Sequence, residues 1–409
     1  MSKPELVLPA GNLEKLKVAF TYGADAVYLG GEAYSLRAYA GNFNLADMAE
    51  GINFAKKNNK KVYVAVNIIA HNRDLKDLPA YLEKLQALQV DAIIISDLGI
   101  LRLANQYAPL ISKTISTQAN ITNYESAAMY KELGATRLVL AREVTWEDMQ
   151  EIKEKVDIDL EIFVHGAMCV SYSGRCLISH YMTGRSANQG ACAHPCRYKY
   201  HLVEEKRPNE YYPIEEDDRG SYILNSRDLC LLEYLPKLID VGIDAFKVEG
   251  RMKSPLYIAS VATTYRQAID QYSENRTQYS PEDLDRWLDE LSKTATRPFT
   301  NGFIAGESRV LQDLNNEKTP GRASFSGVVL THEDRLVKVE QRSNFGVGDK
   351  LEFLLPSGQS RPVNIEKLWD ENLQPIERAR HPKQIVYFAS DFLIPEFTIL
   401  RKVGERHKR

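Results

Sequence analysis

One junction recurs along the first two-thirds of this 409-residue chain, and it limits the possible folds more than any other feature. It reads GADAVYLG at 23–30, QVDAIIIS at 89–96, GATRLVLA at 134–141 and GIDAFKVEG at 242–250. Each time, Gly or a polar residue ends a helical pattern and an apolar run follows at once, as a tight helix-to-strand turn requires. Apolar runs predict strands at 5–8, 26–29, 61–67, 91–95, 112–117, 137–141, 159–165 and 243–248, with helical periodicity between them. In the first helix Asn12 is placed to cap, Leu13, Leu16 and Phe20 share a face, and Gly23 stops it. Eight such units in about 250 residues favour an α/β fold, a (β/α)8 TIM-like barrel, over an open sheet.

The barrel is expected over 1–275, with a Cys-rich segment at 161–200 and a hairpin insert at about 198–226. Within the insert, YKYHLVEE at 198–205 is expected to pair with SYILNS at 221–226, across an acidic, Pro- and Gly-containing tip. A helical linker at 276–319 follows, and from 320 to 409 short alternating runs separated by turn residues predict a small antiparallel β-barrel domain.

Lys plus Arg total 52 against 55 Asp plus Glu, a net charge of −3 that excludes an overall basic protein. No apolar run approaches the roughly 18 residues of a membrane span, and the opening MSKPELVLPAG lacks the features of a secretory signal, so a cytoplasmic protein is expected. Five cysteines are too few for a disulfide framework.

Four of the five stand together, Cys169, Cys176, Cys192 and Cys196, with spacing Cys-x6-Cys-x15-Cys-x3-Cys. Clustered thiols point to a metal site. Structural zinc usually shows two short hairpin spacings, and only the second pair here is short, so an iron-sulfur cluster is favoured with zinc as the alternative. Cys169 directly follows the strand EIFVH, at the end of a barrel where active sites lie. Cys230, opening the apolar run CLLEYLPKLI, reads as the start of a helix and as core.

Alternation along the strands selects the side chains that face the barrel interior. Val62, Val64, Val66, Ile162, Val164, Phe246 and Val248 are expected to face the helices. Asn67, Glu161, Phe163, His165, Lys247 and Glu249 then point inward. Gln118, and either Arg142 or Glu143, end neighbouring strands. Ordinary interior ion pairs, for example Lys247 with Glu161 or Glu249, are the plainer reading of each residue taken singly. Residues 161–200 hold Arg175, Arg185, Arg197 and Lys199 against Glu161 alone, interleaved with five aromatics. That mixture suits a splayed single-stranded RNA loop, and ordinary packing explains it equally.

The segments PELVLPAGNLEKL, GADAVYLGGEAYSLR, EIFVHGAMCVSYSGRCLIS, NSRDLC and KVEGRMKS resemble the family long labelled peptidase U32, over essentially the whole chain. QANITNYESAAMYKELGATRLVLARE and NQGACAHPCRYKY resemble most its tRNA-hydroxylation branch. The resemblance implies hydroxylation of the tRNA wobble uridine to 5-hydroxyuridine, dependent on prephenate and an iron-sulfur cluster, here a 4Fe-4S cluster on Cys169, Cys176, Cys192 and Cys196. On that reading the partners are a tRNA anticodon loop and a small dicarboxylate. Arg37, Arg142, Lys247 and Arg251 are candidates for the dicarboxylate. His165, Lys247 and Glu249 are the catalytic candidates, His165 as a proton carrier at neutral pH, and Arg37, Asn67, Gln118, Arg142 and Arg251 the substrate-binding ones.

Related branches make ribosomal RNA cytidine or a ubiquinone precursor the alternative substrate, the latter calling for an apolar cavity and a second chain of the same family. Neither an HExxH helix nor a GxSxG elbow is present, which argues against the peptidase chemistry of the family's label.

Overall fold

A computed structural model describes residues 3–35, 42–169, 171–172, 176–185, 187–189, 191–193, 195, four short pieces between 202 and 221, 227–306 and 321–404. Strands β1 (Glu5–Pro9), β2 (Ala26–Gly30), β3 (Lys61–Val66), β4 (Ala92–Ile95), β5 (Ser112–Ile115), β6 (Arg137–Val139) and β7 (Asp159–Ala167) run parallel in chain order. An eighth parallel strand, Ala245–Val248, pairs with both β7 and β1 and closes the barrel. Helices α1 (Leu13–Thr21), α2 (Leu45–Lys57), α3 (Leu78–Ala87), α4 (Leu98–Tyr107), α5 (Tyr124–Glu132), α6 (Trp146–Lys155), α7 (Ile178–Thr183), α8 (Leu235–Val241) and α9 (Pro255–Asn275) alternate with the strands, and α10 (Pro281–Ser292) follows.

The recurring junction has a specific cause. In three of the four copies an Asp ends the turn and its carboxylate accepts the N–H of the second residue of a neighbouring strand: Asp25 from Leu6 at 2.9 Å, Asp91 from Val62 at 2.8 Å and Asp244 from Leu160 at 2.8 Å. Each carboxylate thus satisfies a strand-end donor that has no ladder partner. The helices start on side-chain caps, Asn12 accepting from Lys15 N at 2.9 Å as expected, with Asn44, Asp97, Asn123, Thr145, Ser254 and Ser280 doing the same elsewhere.

Alternation sorts the strand residues as the pattern requires. Val62, Val64, Val66, Ile162, Val164, Phe246 and Val248 join the core between strands and helices. Val7, Tyr28, Tyr63, Ala92, Ile94 and Ala245 pack together in a separate cluster inside the barrel. One irregularity matters: Phe163 pairs with Lys247 but His165 with Val248, so β7 carries an extra residue at Val164.

Three local features differ from expectation. Leu202–Glu204 pairs with Arg207–Tyr212, so the run at 198–205 finds its partner earlier than 221–226, of which 222–226 lie outside the described residues. Cys230 ends a short strand, Asp228–Cys230, antiparallel to the end of β7, rather than starting a helix. The C-terminal sheet is open: its six antiparallel strands run Ser360–Asn364, Lys350–Leu354, Ile399–Val403, Ala323–Glu333, Leu336–Gln341, Ile385–Ala389, and its two outer strands do not pair with each other. The result is a half-barrel with its own core around Val329, Val339, Phe353, Phe388 and Leu400.

That half-barrel is seated against α1, α9 and α10. Tyr22, at the end of α1, donates its hydroxyl hydrogen to Leu354 O and accepts from Ile399 N at 2.9 Å. Arg401, with no exposed surface, forks onto Glu290 of α10 at 2.5 and 2.9 Å and reaches Glu352 at 2.8 Å. No helix among the described residues is long and apolar enough to cross a membrane.

Candidate functional site at the barrel mouth

A polar ladder climbs the barrel interior from its N-terminal end. Arg137 bridges Glu5 at 2.7 Å and Glu161 at 3.3 Å, and Tyr63 donates to Glu5 at 2.5 Å. Lys247 Nζ lies 2.6 Å from Glu161 Oε1, both side chains buried. Burial alone would raise the Glu161 pKa, yet Lys247 and then Arg137 hold it below the usual carboxylate range. Glu161 is therefore a fixed anion, and its partner Lys247 has Nζ 4.6 Å from the Tyr28 ring centre and 5.7 Å from that of Phe163.

The next layer lies at the C-terminal ends of the strands. Tyr28 donates to Glu249 at 3.0 Å, and the Arg142 guanidinium covers Phe163 at 4.1 Å. Arg142, not Glu143, is thus the residue of that pair that meets the inward ring of β7. Across the mouth Asn67 donates to Gln118 at 2.8 Å, and Ser116 fixes the same amide oxygen at 3.0 Å. Arg251 is buried and donates to Ser35 and to Asn42, each at 2.8 Å. These two residues flank segment 36–41, and Arg37 falls in that segment, outside the described residues.

Gly166 lets β7 reach this layer. Its φ of +107° lies in the glycine region, and a Cβ there would stand 2.4 Å from Glu249 O. The strand ends one residue on, at Ala167, and Cys169 then begins the cysteine segment. Burial raises the Cys169 thiol pKa, opposed by a hydrogen bond from the Ser171 backbone and by Arg142, while Cys176 and Cys192 push it up further. Cys176, Cys192 and Arg142 are thus each near enough to act on the charge of Cys169. Asn188 orders the segment, accepting from Cys176 N at 3.2 Å and, through its carbonyl, from Ile69 N at 3.3 Å. Cys196 lies outside the described residues. Among the described residues no three His, Cys, Asp or Glu side chains converge on a point that would hold a single metal ion.

His165 is a correction. The extra residue in β7 turns it away from the mouth, into a cage of Tyr257 and Tyr265 of α9 and Phe299, with ring centres 5.4 to 6.0 Å away. Its Nδ1 lies 3.3 Å from the Tyr265 hydroxyl. Burial, with Lys253 adding repulsion, lowers its pKa to about 3. It is a neutral imidazole at neutral pH and does not face the mouth as a proton carrier would. Cys230 sits nearby, its thiol 3.7 Å from the same hydroxyl and pushed by burial to about 11, an inert core thiol.

Sequence reasoning missed Arg137, Tyr63 and Tyr28. Arg137 carried a readable signal: in the recurring junction its position is Ala26, Ala92 and Ala245 in the other copies, all inside the barrel.

Residues 11–313 match peptidase family U32, and 322–401 match the C-terminal domain of the same family. The chain is 41% identical to tRNA hydroxylation protein P1 of Bacillus subtilis over 98% of its own length and 95% of that protein. It is 36% identical to tRNA hydroxylation protein P of Escherichia coli, covering 88% of this chain and 87% of that one. It is also 36% identical to the 23S rRNA 5-hydroxycytidine C2501 synthase of Escherichia coli, over 73% of this chain but 45% of that protein. A barrel with its cysteine segment at the mouth and a docked half-barrel, matched along both parts, makes this chain a member of peptidase family U32.

Proposed function

We propose that the chain hydroxylates tRNA, converting the wobble uridine to 5-hydroxyuridine, with a 4Fe-4S cluster on Cys169, Cys176, Cys192 and Cys196 and prephenate as cosubstrate. The observation that carries this reading is the placing of Cys169 just past the end of β7, with Cys176, Cys192 and Arg142 near enough to act on its charge and Arg142 over the Phe163 ring. Replacing C5–H of a pyrimidine by C5–OH withdraws two electrons from the base, and no side chain in this mouth accepts electrons. A bound iron-sulfur cluster would relay those electrons one at a time to an oxidising co-reactant, which, like the donor of the hydroxyl oxygen, lies outside the side chains of the mouth.

The protein's own groups do the rest. Phe163, half-buried under Arg142, offers a face on which a splayed base stacks. Asn67 and Gln118 hold each other and present amide groups suited to the edge of a uracil. Arg142 is the anion-binding group, while Lys247 stays in its ion pair with Glu161. Arg251 holds Ser35 and Asn42, the described residues on either side of the segment that contains Arg37. Glu249, fixed by Tyr28, is the acceptor nearest this layer for a proton leaving the base.

The coverage of the relatives favours tRNA over ribosomal RNA, since the chain spans nearly all of the two tRNA hydroxylation proteins and under half of the ribosomal one. Peptidase chemistry finds no support in the caged, neutral His165, which faces Tyr265 rather than a nucleophile. Anaerobic purification with iron, sulfide and zinc analysis tests the reading. About four irons and four sulfides per chain support it; stoichiometric zinc without iron overturns it.

A further inference from the structure

The C-terminal half-barrel carries a built basic turn at the level of the barrel mouth. Residues 378–383 read RARHPK, and Arg380, His381 and Lys383 are exposed. The turn is held from beneath. The Gln384 side chain accepts from Arg380 N at 3.0 Å and His381 N at 3.2 Å, and the buried Gln341 amide donates to Ala379 O at 3.2 Å. Arg378 is committed to Asp349 and Asn344, each at 3.0 Å, and so braces the turn. Arg380 and Lys383 have no carboxylate within ion-pair distance among the described residues, and Glu377 is the one acid in the adjoining run.

Its position follows from the helix it faces. Glu14 lies in the first turn of α1, which leaves the C-terminal end of β1, the mouth side of the barrel. Arg342 of the half-barrel pairs with Glu14, and the charge of Lys383 acts on the same carboxyl. The next residue, Lys15, donates to Arg251 O at 3.2 Å, and Arg251 is part of the mouth. Lys383 N donates to Gln341 O at 3.1 Å, next to Arg342, so a chain of hydrogen bonds and ion pairs runs from the basic turn through Glu14 and Lys15 to Arg251. The seam at Tyr22 and Arg401 fixes the half-barrel along α1 and α10, so the turn is preorganised relative to the mouth.

Resting on the function proposed above, we infer that Arg380 and Lys383 clamp the phosphate backbone of the tRNA outside the loop whose base enters the barrel. A fixed pair of cations at the rim neutralises phosphates without reading sequence, which positions the substrate rather than selecting it. The turn acts as a ruler between the mouth and the RNA arm, and an isolated anticodon loop is too short to reach it.

The test compares the full-length holoprotein with its Arg380→Glu/Lys383→Glu double variant, by binding of whole tRNA and of the isolated anticodon loop across a salt series. The expected result for whole tRNA is about tenfold weaker binding near physiological salt and a log–log salt slope flatter by about one to two. Binding of the isolated loop, iron content and thermal unfolding stay unchanged, and Arg380→Lys/Lys383→Arg restores whole-tRNA binding. Unchanged affinity and slope in the double variant, with wild type binding tRNA normally, overturns the clamp alone. Equal loss on the isolated loop overturns its placement outside the loop. A wild-type holoprotein that binds neither RNA overturns the clamp together with the function on which it rests.

Discussion

Lys247 and Glu161 form an ion pair inside the barrel, 2.6 Å apart and sealed from solvent, one layer beneath the mouth. Glu161 in turn is held as an anion by Lys247 and Arg137. Removing one partner strands a buried charge, so Lys247→Met should cost about 3 to 5 kcal/mol of stability. Glu161→Gln in the same background should recover much of that, because Arg137 keeps Glu5. Urea unfolding of both variants and the double variant measures the coupling; additive losses would mean the pair is not a unit.

Arg142 is the cation that faces both Phe163 and the cysteine segment. Arg142→Ala should raise KM for the anionic cosubstrate by about tenfold or more while the iron content holds. Steady-state kinetics with varied prephenate checks it, and an unchanged KM would place the anion elsewhere.

The seam between barrel and half-barrel depends on a carboxylate. Burial opposes ionisation of Glu290, but Arg401 and Lys293 bring its pKa down to about 2. A depressed carboxylate stabilises the fold fully above its unfolded pKa near 4.5 and loses that contribution as pH falls toward 2, here about 3 kcal/mol. Acid titration of stability should show this loss in wild type and a much smaller one in Glu290→Gln. Identical acid profiles would contradict the seam's role.

His165 titrates in the opposite chemical sense with the same outcome. Its pKa of about 3, lowered from 6.5, means the unfolded chain takes up the proton first, so stability falls as pH drops below about 6.5. His165→Phe should flatten stability between about pH 7 and pH 5. A variant with wild-type pH dependence would show that the imidazole is not caged as described.

Much of this architecture is legible in the residues. Alternation placed Glu161 and Lys247 inside because a parallel barrel strand must give its apolar face to the helices, and the junction Asp residues recur because each caps a neighbouring strand. Asn67 and Gln118 were readable as strand-end polar groups, and they meet. His165 was misread because one extra residue in β7 reverses alternation, and nothing in HGAMC announces a bulge. The C-terminal strands were visible singly, but closure depends on whether Ser360–Asn364 reaches Ile385–Ala389, a long-range property that short runs do not encode. Nothing in the run FTILRKV marks Arg401 as buried, and only the docking of α10 reveals it so.

The most direct test of the central claim is nucleoside mass spectrometry of tRNA from a host lacking wobble-uridine hydroxylation that expresses either this chain or its Cys176→Ala variant. The account predicts that the wild-type chain restores 5-hydroxyuridine and that Cys176→Ala does not. Full 5-hydroxyuridine with the Cys176→Ala variant, or none with a wild-type chain carrying its full iron complement, would contradict it.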